Sequence, residues 1–224
     1  MKLKNIISLL LLANLALTAT SQQINDLIKN INDKLLKKET TISKVLSDPA
    51  FMTLHAQTAF REIIKQNAKA EKIRMVTENE PGVYITVKGI VQDKSGNPQS
   101  DKLVYVYQTS SQGWYSDTAP HILKNEGDRK HARLFGYFKT DKNGQFEFTT
   151  VKPSGYPNSS LPAHIHIEIS LKENHNFISE LLFDDDPRLI GDIRDRSIKE
   201  KFFIVKNSGT VKNPVYSYLI KPGD

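Results

Sequence analysis

The spacing of hydrophobic residues changes character near residue 80. Before it, apolar side chains recur every three and four residues from Ile24, which is the pattern of one face of an amphipathic helix. A second helix is predicted from Asp48, a residue type that caps free amides, with Pro49 at the first helical position. The two apolar faces are Leu27, Ile28, Ile31, Leu35 and Leu36, and then Met52, Ala56, Ala59, Phe60 and Ile63. Such faces are typical of a core contact or of a homodimer contact between helical arms.

After Gly82 the chain consists of short runs of β-branched and aromatic residues that alternate with turn residues. This pattern, with no helical spacing between the runs, predicts a mainly β protein. The expected architecture is an antiparallel, prealbumin-like β-sandwich with an N-terminal helical extension. The predicted strands are Val83 to Gln92, Leu103 to Gln108, Leu134 to Lys139, Gln145 to Val151, Ala163 to Ser170, Phe177 to Phe183, Lys201 to Val205 and Val215 to Ile220.

The first 21 residues have the composition of a secretory signal peptide. Lys2 and Lys4 precede an apolar run from Ile6 to Ala19, and small residues follow it. The run is shorter than the ~20 residues that span a bilayer, which disfavours the alternative of an uncleaved membrane helix. We therefore expect a secreted or periplasmic protein with no stable membrane anchor. Its predicted organisation is a signal peptide over 1–21, a helical arm over 22–80 and a β-sandwich core over 81–224.

The composition excludes several kinds of chemistry. The sequence contains no cysteine, so disulfides, thiolate metal ligands and cysteine nucleophiles are ruled out. The formal net charge is +6, yet basic and acidic residues are equal in number from Val76 onward. A nucleic-acid-binding domain would carry a basic stripe on its folded body, so no nucleic-acid partner is expected.

The predicted strand from Ala163 to Ser170 carries two histidines on one face. Because side chains alternate along a strand, His164 and His166 point the same way. A solvated strand face is the commoner explanation for such a pair. Two nearby tyrosines favour a site instead, since Tyr156 lies in a constrained Gly-Tyr-Pro turn and Tyr115 lies on a glycine-bearing loop.

The sequence Gly155-Tyr156-Pro157, followed by Pro162-Ala163-His164-Ile165-His166 and preceded by a loop tyrosine, resembles the intradiol ring-cleavage dioxygenases, the family of the catechol and protocatechuate dioxygenases. The resemblance extends from about Val83 to Phe203. It implies a non-haem Fe(III) enzyme that uses O2 to cleave a catechol-type ring between its two hydroxylated carbons, giving a muconate-type diacid. Carried over by position, the iron ligands are Tyr115, Tyr156, His164 and His166. The resemblance also implies that Tyr156 leaves the metal and helps to remove a substrate proton.

This ligand set is physically reasonable for ferric iron. Two phenolates and a bound hydroxide would cancel the charge of a hard trication inside a low-dielectric protein, while two imidazoles complete the shell. Two positions depart from the family pattern, because Leu161 replaces the usual arginine and Glu180 the usual glutamine. Losing a preorganised charge lowers the rate by roughly 10² to 10³. Arg133 is the candidate for a substitute catalytic arginine, the alternative being a solvated residue at a strand end.

Two other interpretations remain open from the sequence. A non-catalytic prealbumin-like or peptidase-associated module would explain Tyr156 as a core residue, but not Tyr115 together with the histidine pair. The second interpretation is a zinc or copper site on the same two histidines. The remaining histidines are predicted to lie on the surface, with a substrate role open for the middle two: His55, His121, His131 and His175.

Overall fold

A computed structural model describes residues 21–172 and 175–222. The chain divides into two compact units, with the boundary after Thr40. In the first unit, residues 21–36 form helix α1, which confirms the helix predicted from the apolar spacing. Except for its last residue, the predicted signal peptide lies outside the described residues. In the part of the chain that is described, no helix is long and apolar enough to cross a membrane.

The second unit begins with short helices, and the long helix predicted from Asp48 is wrong. The Asp48 carboxylate does cap a helix, but this is a 3-10 turn that ends before His55. The helical conformation is interrupted there because the His55 ring is fully buried. Its Nδ1 lies 2.7 Å from the Arg133 carbonyl oxygen, and the ring stacks on Phe60. The prediction that His55 lies on the surface is therefore also wrong. The helices are α2 (Ile42–Ser47), the 3-10 helix (Pro49–Leu54), α3 (Thr58–Gln66), α4 (Gly127–His131) and α5 (Gly191–Lys199).

All eight predicted strands are present, and the structure adds a two-residue strand near residue 73. Strands β1, β5, β2 and β9 form one sheet in that order, and β4, β3, β6, β7 and β8 form the other. The strands are β1 (Ile73–Arg74), β2 (Tyr84–Val91), β3 (Leu103–Gln108), β4 (Leu134–Lys139), β5 (Gln145–Val151), β6 (His164–Lys172), β7 (His175–Phe183), β8 (Phe203–Val205) and β9 (Val215–Ile220).

Both sheets are mixed, whereas the sequence predicted antiparallel pairing. Strand β1 runs parallel to β5, β9 parallel to β2, and β8 parallel to β7. The last pair is parallel because helix α5 carries the chain back across the sheet between the two strands. The alternation of apolar and polar residues assigns the faces of a strand, but it carries no information about strand direction.

The two sheets pack face to face through aromatic side chains. Phe138 of the five-stranded sheet lies 5.3 Å from Phe146 of the four-stranded sheet, and Phe183 lies 4.8 Å from Tyr216, between ring centroids. Gly136 lacks a side chain where Ile73 approaches from the opposite sheet. These contacts bury the inner face of each sheet. The outer faces are not part of this interface between the sheets.

Helix α3 covers the outer face of the five-stranded sheet. Its Arg61 side chain is buried, with the guanidinium carbon 3.7 Å from the centroid of the Phe135 ring. The guanidinium donates to the Ala132 carbonyl at 2.8 Å and to the Tyr105 hydroxyl. Burial lowers the pKa of Arg61, and the neighbouring tyrosines oppose that shift. This contact shields the aromatic residues that line the sheet beside the candidate site.

Candidate metal centre

The register of strand β6 places both histidines on the outer face of the five-stranded sheet. Ile165 and Ile167 are fully buried and face the other sheet, so His164 and His166 point outward. His166 lies between Tyr107 of β3 and Glu180 of β7 as a cross-strand partner of each. The Tyr107 ring stacks on the His166 ring with 4.3 Å between centroids, which fixes the plane of the imidazole.

The two tyrosines arrive on loops that touch each other. Tyr115 follows strand β3 and is only 1% exposed, whereas Tyr156 follows β5 and is half-buried. Gly113 has a φ of +79°, and a Cβ at this position would overlap the Gly155 carbonyl oxygen. Only glycine allows both that backbone conformation and that approach. The close contact brings the two phenol groups to the same side of the sheet.

All four residues predicted as ligands come together. The Tyr115 hydroxyl lies 2.8 Å from the Tyr156 hydroxyl and 2.9 Å from His166 Nε2. The Tyr156 hydroxyl lies 3.0 Å from His164 Nε2. Nδ1 of His164 is 2.9 Å from the Pro162 carbonyl oxygen, to which it can only donate, so its Nε2 keeps the lone pair.

These separations match those of a metal-binding donor set. Neighbouring ligands that bind a metal at about 2.0–2.1 Å and at right angles to one another lie about 2.9 Å apart. The three contacts just described, at 2.8, 2.9 and 3.0 Å, have this length. Two phenol oxygens and two imidazole nitrogens therefore form a set that fits a hard trivalent cation.

Burial controls the protonation of this cluster. It raises the pKa of Tyr115 strongly and that of Tyr156 in the same direction. Burial, together with the neighbouring His164, lowers the pKa of His166 to about 3. His166 is thus neutral and able to bind a metal across the physiological range. The phenols need a nearby positive charge before they ionise, and a bound cation would supply it.

A clamp formed by Asp186 and Arg188, immediately after strand β7, holds the segment that carries Tyr156. The Asp186 carboxylate accepts a hydrogen bond from the Ala163 amide at 2.9 Å. Arg188 Nη1 donates to the carbonyl oxygens of Tyr156 at 3.1 Å and Leu161 at 3.3 Å. The sequence analysis did not identify this function, because it depends on contacts between segments more than 20 residues apart. The clamp fixes the backbone on both sides of the turn.

Arg133, the predicted catalytic arginine, is bound by two carboxylates. Its Nη atoms donate to both Glu80 oxygens at 2.7 Å, and its Nε lies 2.8 Å from an Asp117 oxygen. The Arg133 side chain is 15% exposed, so it is not a solvated residue at a strand end. Its backbone amide donates to the Tyr115 carbonyl at 2.8 Å, which places it next to a proposed ligand. A catalytic function for Arg133 stays a prediction.

His121 and Glu180 also border the cluster. The His121 ring lies edge-on to Tyr156, with 4.7 Å between centroids, and its Nδ1 is 2.9 Å from an Asp128 carboxylate oxygen. Glu180 Oε1 is 3.5 Å from His166 Nδ1, on the side of the imidazole away from the phenols. His121 is exposed, as predicted, yet it contacts the site. The side chain of His175 lies outside the described residues.

Comparison with known proteins identifies the family. The family model described as "Dioxygenase" matches residues 57–218, well over half of the chain. The chain belongs to the intradiol ring-cleavage dioxygenase family. The chain is 31% identical over 126 residues to the protocatechuate 3,4-dioxygenase beta chain of Burkholderia cepacia, a match that covers 52% of each. It is 29% identical over 131 residues to the chlorocatechol 1,2-dioxygenase of Rhodococcus opacus, covering 51% of this chain and 49% of the relative.

A third relative, the catechol 1,2-dioxygenase of Candida albicans, is 29% identical over 111 residues, covering 42% of this chain and 35% of the relative. The chain thus spans about half or less of the length of these relatives. Among solved structures, the 3-chlorocatechol 1,2-dioxygenase of Rhodococcus opacus 1CP has a TM-score of 0.53 at 17% identity, covering 90% of this chain and 97% of that one. The catechol 1,2-dioxygenase of Acinetobacter sp. ADP1 also has a TM-score of 0.53, at 19% identity, with coverage of 97% and 83%. At these identities the structural likeness shows the fold alone.

Proposed function

We propose that this protein is a non-haem Fe(III) intradiol dioxygenase that cleaves catechol-type rings between the two hydroxylated carbons, with O2, to muconate-type diacids. The observation that carries the proposal is the continuous series of contacts from His164 through Tyr156 and Tyr115 to His166, at 2.8–3.0 Å. These four residues would hold the iron. When bound, the iron would activate the catechol towards O2 and template the reacting groups.

The two phenols differ in burial, which supports different functions for them. Tyr115 is 1% exposed and fixed by its neighbours, so it serves as the permanent ligand. Tyr156 is half-buried, and its phenolate, ionised by a bound cation, would accept a proton from the catechol as its side chain moves aside. Because Asp186 and Arg188 hold the backbone around this turn, the movement is confined to the side chain. Stacking on Tyr107 keeps His166 in place while the Tyr156 side chain moves.

Leu161 leaves the position of the usual arginine without charge, and we propose Arg133 as its replacement in catalysis. This function requires Arg133 to exchange a carboxylate for the substrate. Asp117, whose side chain is 74% exposed, is the partner that can be displaced, whereas Glu80 is buried. An Arg133→Met variant should then lower kcat by more than it raises KM. If the variant loses activity only in proportion to the folded protein that it loses, Arg133 has a structural function only.

The visible absorption of the iron-loaded protein tests the metal site. Protein loaded with Fe(III) should absorb in the visible through tyrosinate coordination, and Tyr115→Phe and Tyr156→Phe should each weaken or shift the band. Tyr84→Phe is a matched control, since its hydroxyl donates to the carbonyls of Thr77 and Glu78 at the start of strand β2 in the other sheet. Oxygen uptake with catechol, hydroxyquinol and chlorinated catechols then tests turnover. Protein that stays colourless with iron would favour a zinc or copper site, or the non-catalytic module.

We further propose that residues 1–21 direct export of the protein, that the N-terminal helices pair two subunits, and that the body is a prealbumin-like sandwich. The first helix supports the pairing through three exposed apolar residues, Ile24, Leu27 and Leu36. Light scattering on the protein with and without residues 22–40 tests the dimer. Fractionation of cells that produce the full chain tests export. If the protein is exported, it is found outside the cytoplasm and is shorter than the full chain.

A further inference from the structure

Two carboxylates border the tyrosine and histidine cluster. Glu180 Oε1 lies 3.5 Å from His166 Nδ1. On the Tyr156 side, Asp128 bonds to His121, whose ring packs edge-on against Tyr156. Both carboxylates are partly accessible to solvent, with side-chain exposures of 27% and 24%. A ligand that enters beside Tyr156 therefore meets negative charge on two sides of the cluster.

The arginines in the surrounding segments do not offset this charge. Arg129 is bound to Glu168 through contacts of 2.7–3.0 Å, and Arg133 keeps its pair with both Glu80 oxygens even where a substrate displaces Asp117. Arg188 is not paired with a carboxylate, but its Nη1 is committed to two main-chain carbonyls.

We infer that the site discriminates by charge, and that it takes neutral or ammonium-bearing catechols in preference to carboxylate-bearing ones. This inference rests on the proposed dioxygenase function. A bound ferric centre with two phenolates and hydroxide is already neutral, so a carboxylate on the ring adds a negative charge that Glu180 and Asp128 repel. Like charges some 8–10 Å apart at a partly exposed site weaken binding by roughly tenfold or more.

The experiment compares three ligands that differ only in the substituent para to one hydroxyl. They are 4-methylcatechol, 3,4-dihydroxybenzoate and 4-(2-aminoethyl)catechol. Each is titrated into iron-loaded protein without oxygen, so that no turnover occurs, and Kd is read from the change in the visible band. We expect 3,4-dihydroxybenzoate to bind at least tenfold more weakly than 4-methylcatechol, and the ammonium ligand to bind at least as tightly as 4-methylcatechol.

Glu180→Gln should reduce the difference between carboxylate and methyl ligands at least threefold, because it removes one charge and keeps the shape. Glu147→Gln is the matched control, a carboxylate on the four-stranded sheet paired with Lys72 and Lys88, and should leave the difference unchanged. Equal affinities for the two ligands in the wild type, or an unchanged difference in Glu180→Gln, would overturn the inference while leaving the dioxygenase function standing. If none of the three catechols perturbs the band, the proposed function itself fails, and the inference fails with it.

Discussion

The two sheets of this protein use their outer faces in opposite ways. Along β2 and β9 of the four-stranded sheet, buried positions alternate with exposed or half-exposed ones. The five-stranded sheet has lost this alternation, since β3 and β4 each contain three consecutive buried residues. Its outer face carries aromatic rings and the histidine pair, covered by α3 and by the loop after β3. One sheet face is solvated, and the other is a second buried layer.

This difference explains why the candidate site lies where it does. Coordination by phenols and neutral imidazoles needs burial, because water competes for the ligand atoms and stabilises the charged imidazole. The inner faces of the sheets carry packed aromatic side chains such as Phe138, Phe146 and Phe183. The covered outer face of the five-stranded sheet offers both burial and an approach for a ligand. Breaking that cover, and comparing the result with a change on the solvated face, therefore tests this explanation.

The largest effect is expected from Arg61→Met. The substitution leaves the Ala132 carbonyl and the Tyr105 hydroxyl without their buried donor, while the apolar contact with Phe135 is largely kept. Unfolding free energy from urea titration should fall by about 3 kcal/mol. Lys88→Met on the outer face of the four-stranded sheet, where the ion pair is exposed, should change stability by less than about 1 kcal/mol. Similar losses in both variants would contradict the distinction between the sheets.

The buried His55 predicts a loss of stability at low pH. Burial lowers its pKa from 6.5 to about 4, so between these values the unfolded chain takes up a proton that the folded protein does not. Stability is full above pH 6.5, falls by up to about 3 kcal/mol as the pH drops to 4, and loses nothing further from this residue below that. His166 adds a loss of the same sign in the iron-free protein.

The comparison that isolates His55 is His55→Asn, whose amide can still donate to the Arg133 carbonyl. Urea midpoints at pH 7.5 and pH 5 should differ less in this variant than in the wild type. A pH dependence that the substitution leaves unchanged would show that His55 does not contribute to it.

The smallest effect is expected from the clamp on the Tyr156 segment. Arg188→Met removes the bonds to the carbonyls of Tyr156 and Leu161, and groups that hold metal ligands in place typically contribute 10- to 100-fold in affinity. We expect about a tenfold loss of iron affinity and a shifted visible band, with an unfolding midpoint close to wild type. Arg194→Met, which breaks the ion pair between helix α5 and Asp184, should leave the band unchanged. An unshifted band in Arg188→Met would refute the positioning function.

The sequence was most informative where a local pattern has a single structural meaning. The eight strands follow from β-branched runs between turn residues, and strand alternation alone placed His164 and His166 on one face. The resemblance added Tyr115 and Tyr156, and the structure brings all four together. Strand direction and the break after the 3-10 helix were not predictable, because they depend on contacts between residues far apart in the chain.

By itself the sequence determined which residue types could form the site, since side-chain alternation and turn geometry are local properties of the backbone. Only the tertiary structure decided their surroundings. It buried His55, bound Arg133 to Glu80, placed Arg188 behind the Tyr156 turn and set Glu180 beside His166. Burial and charge pairing are sums over elements distant in sequence, and no local pattern carries that information.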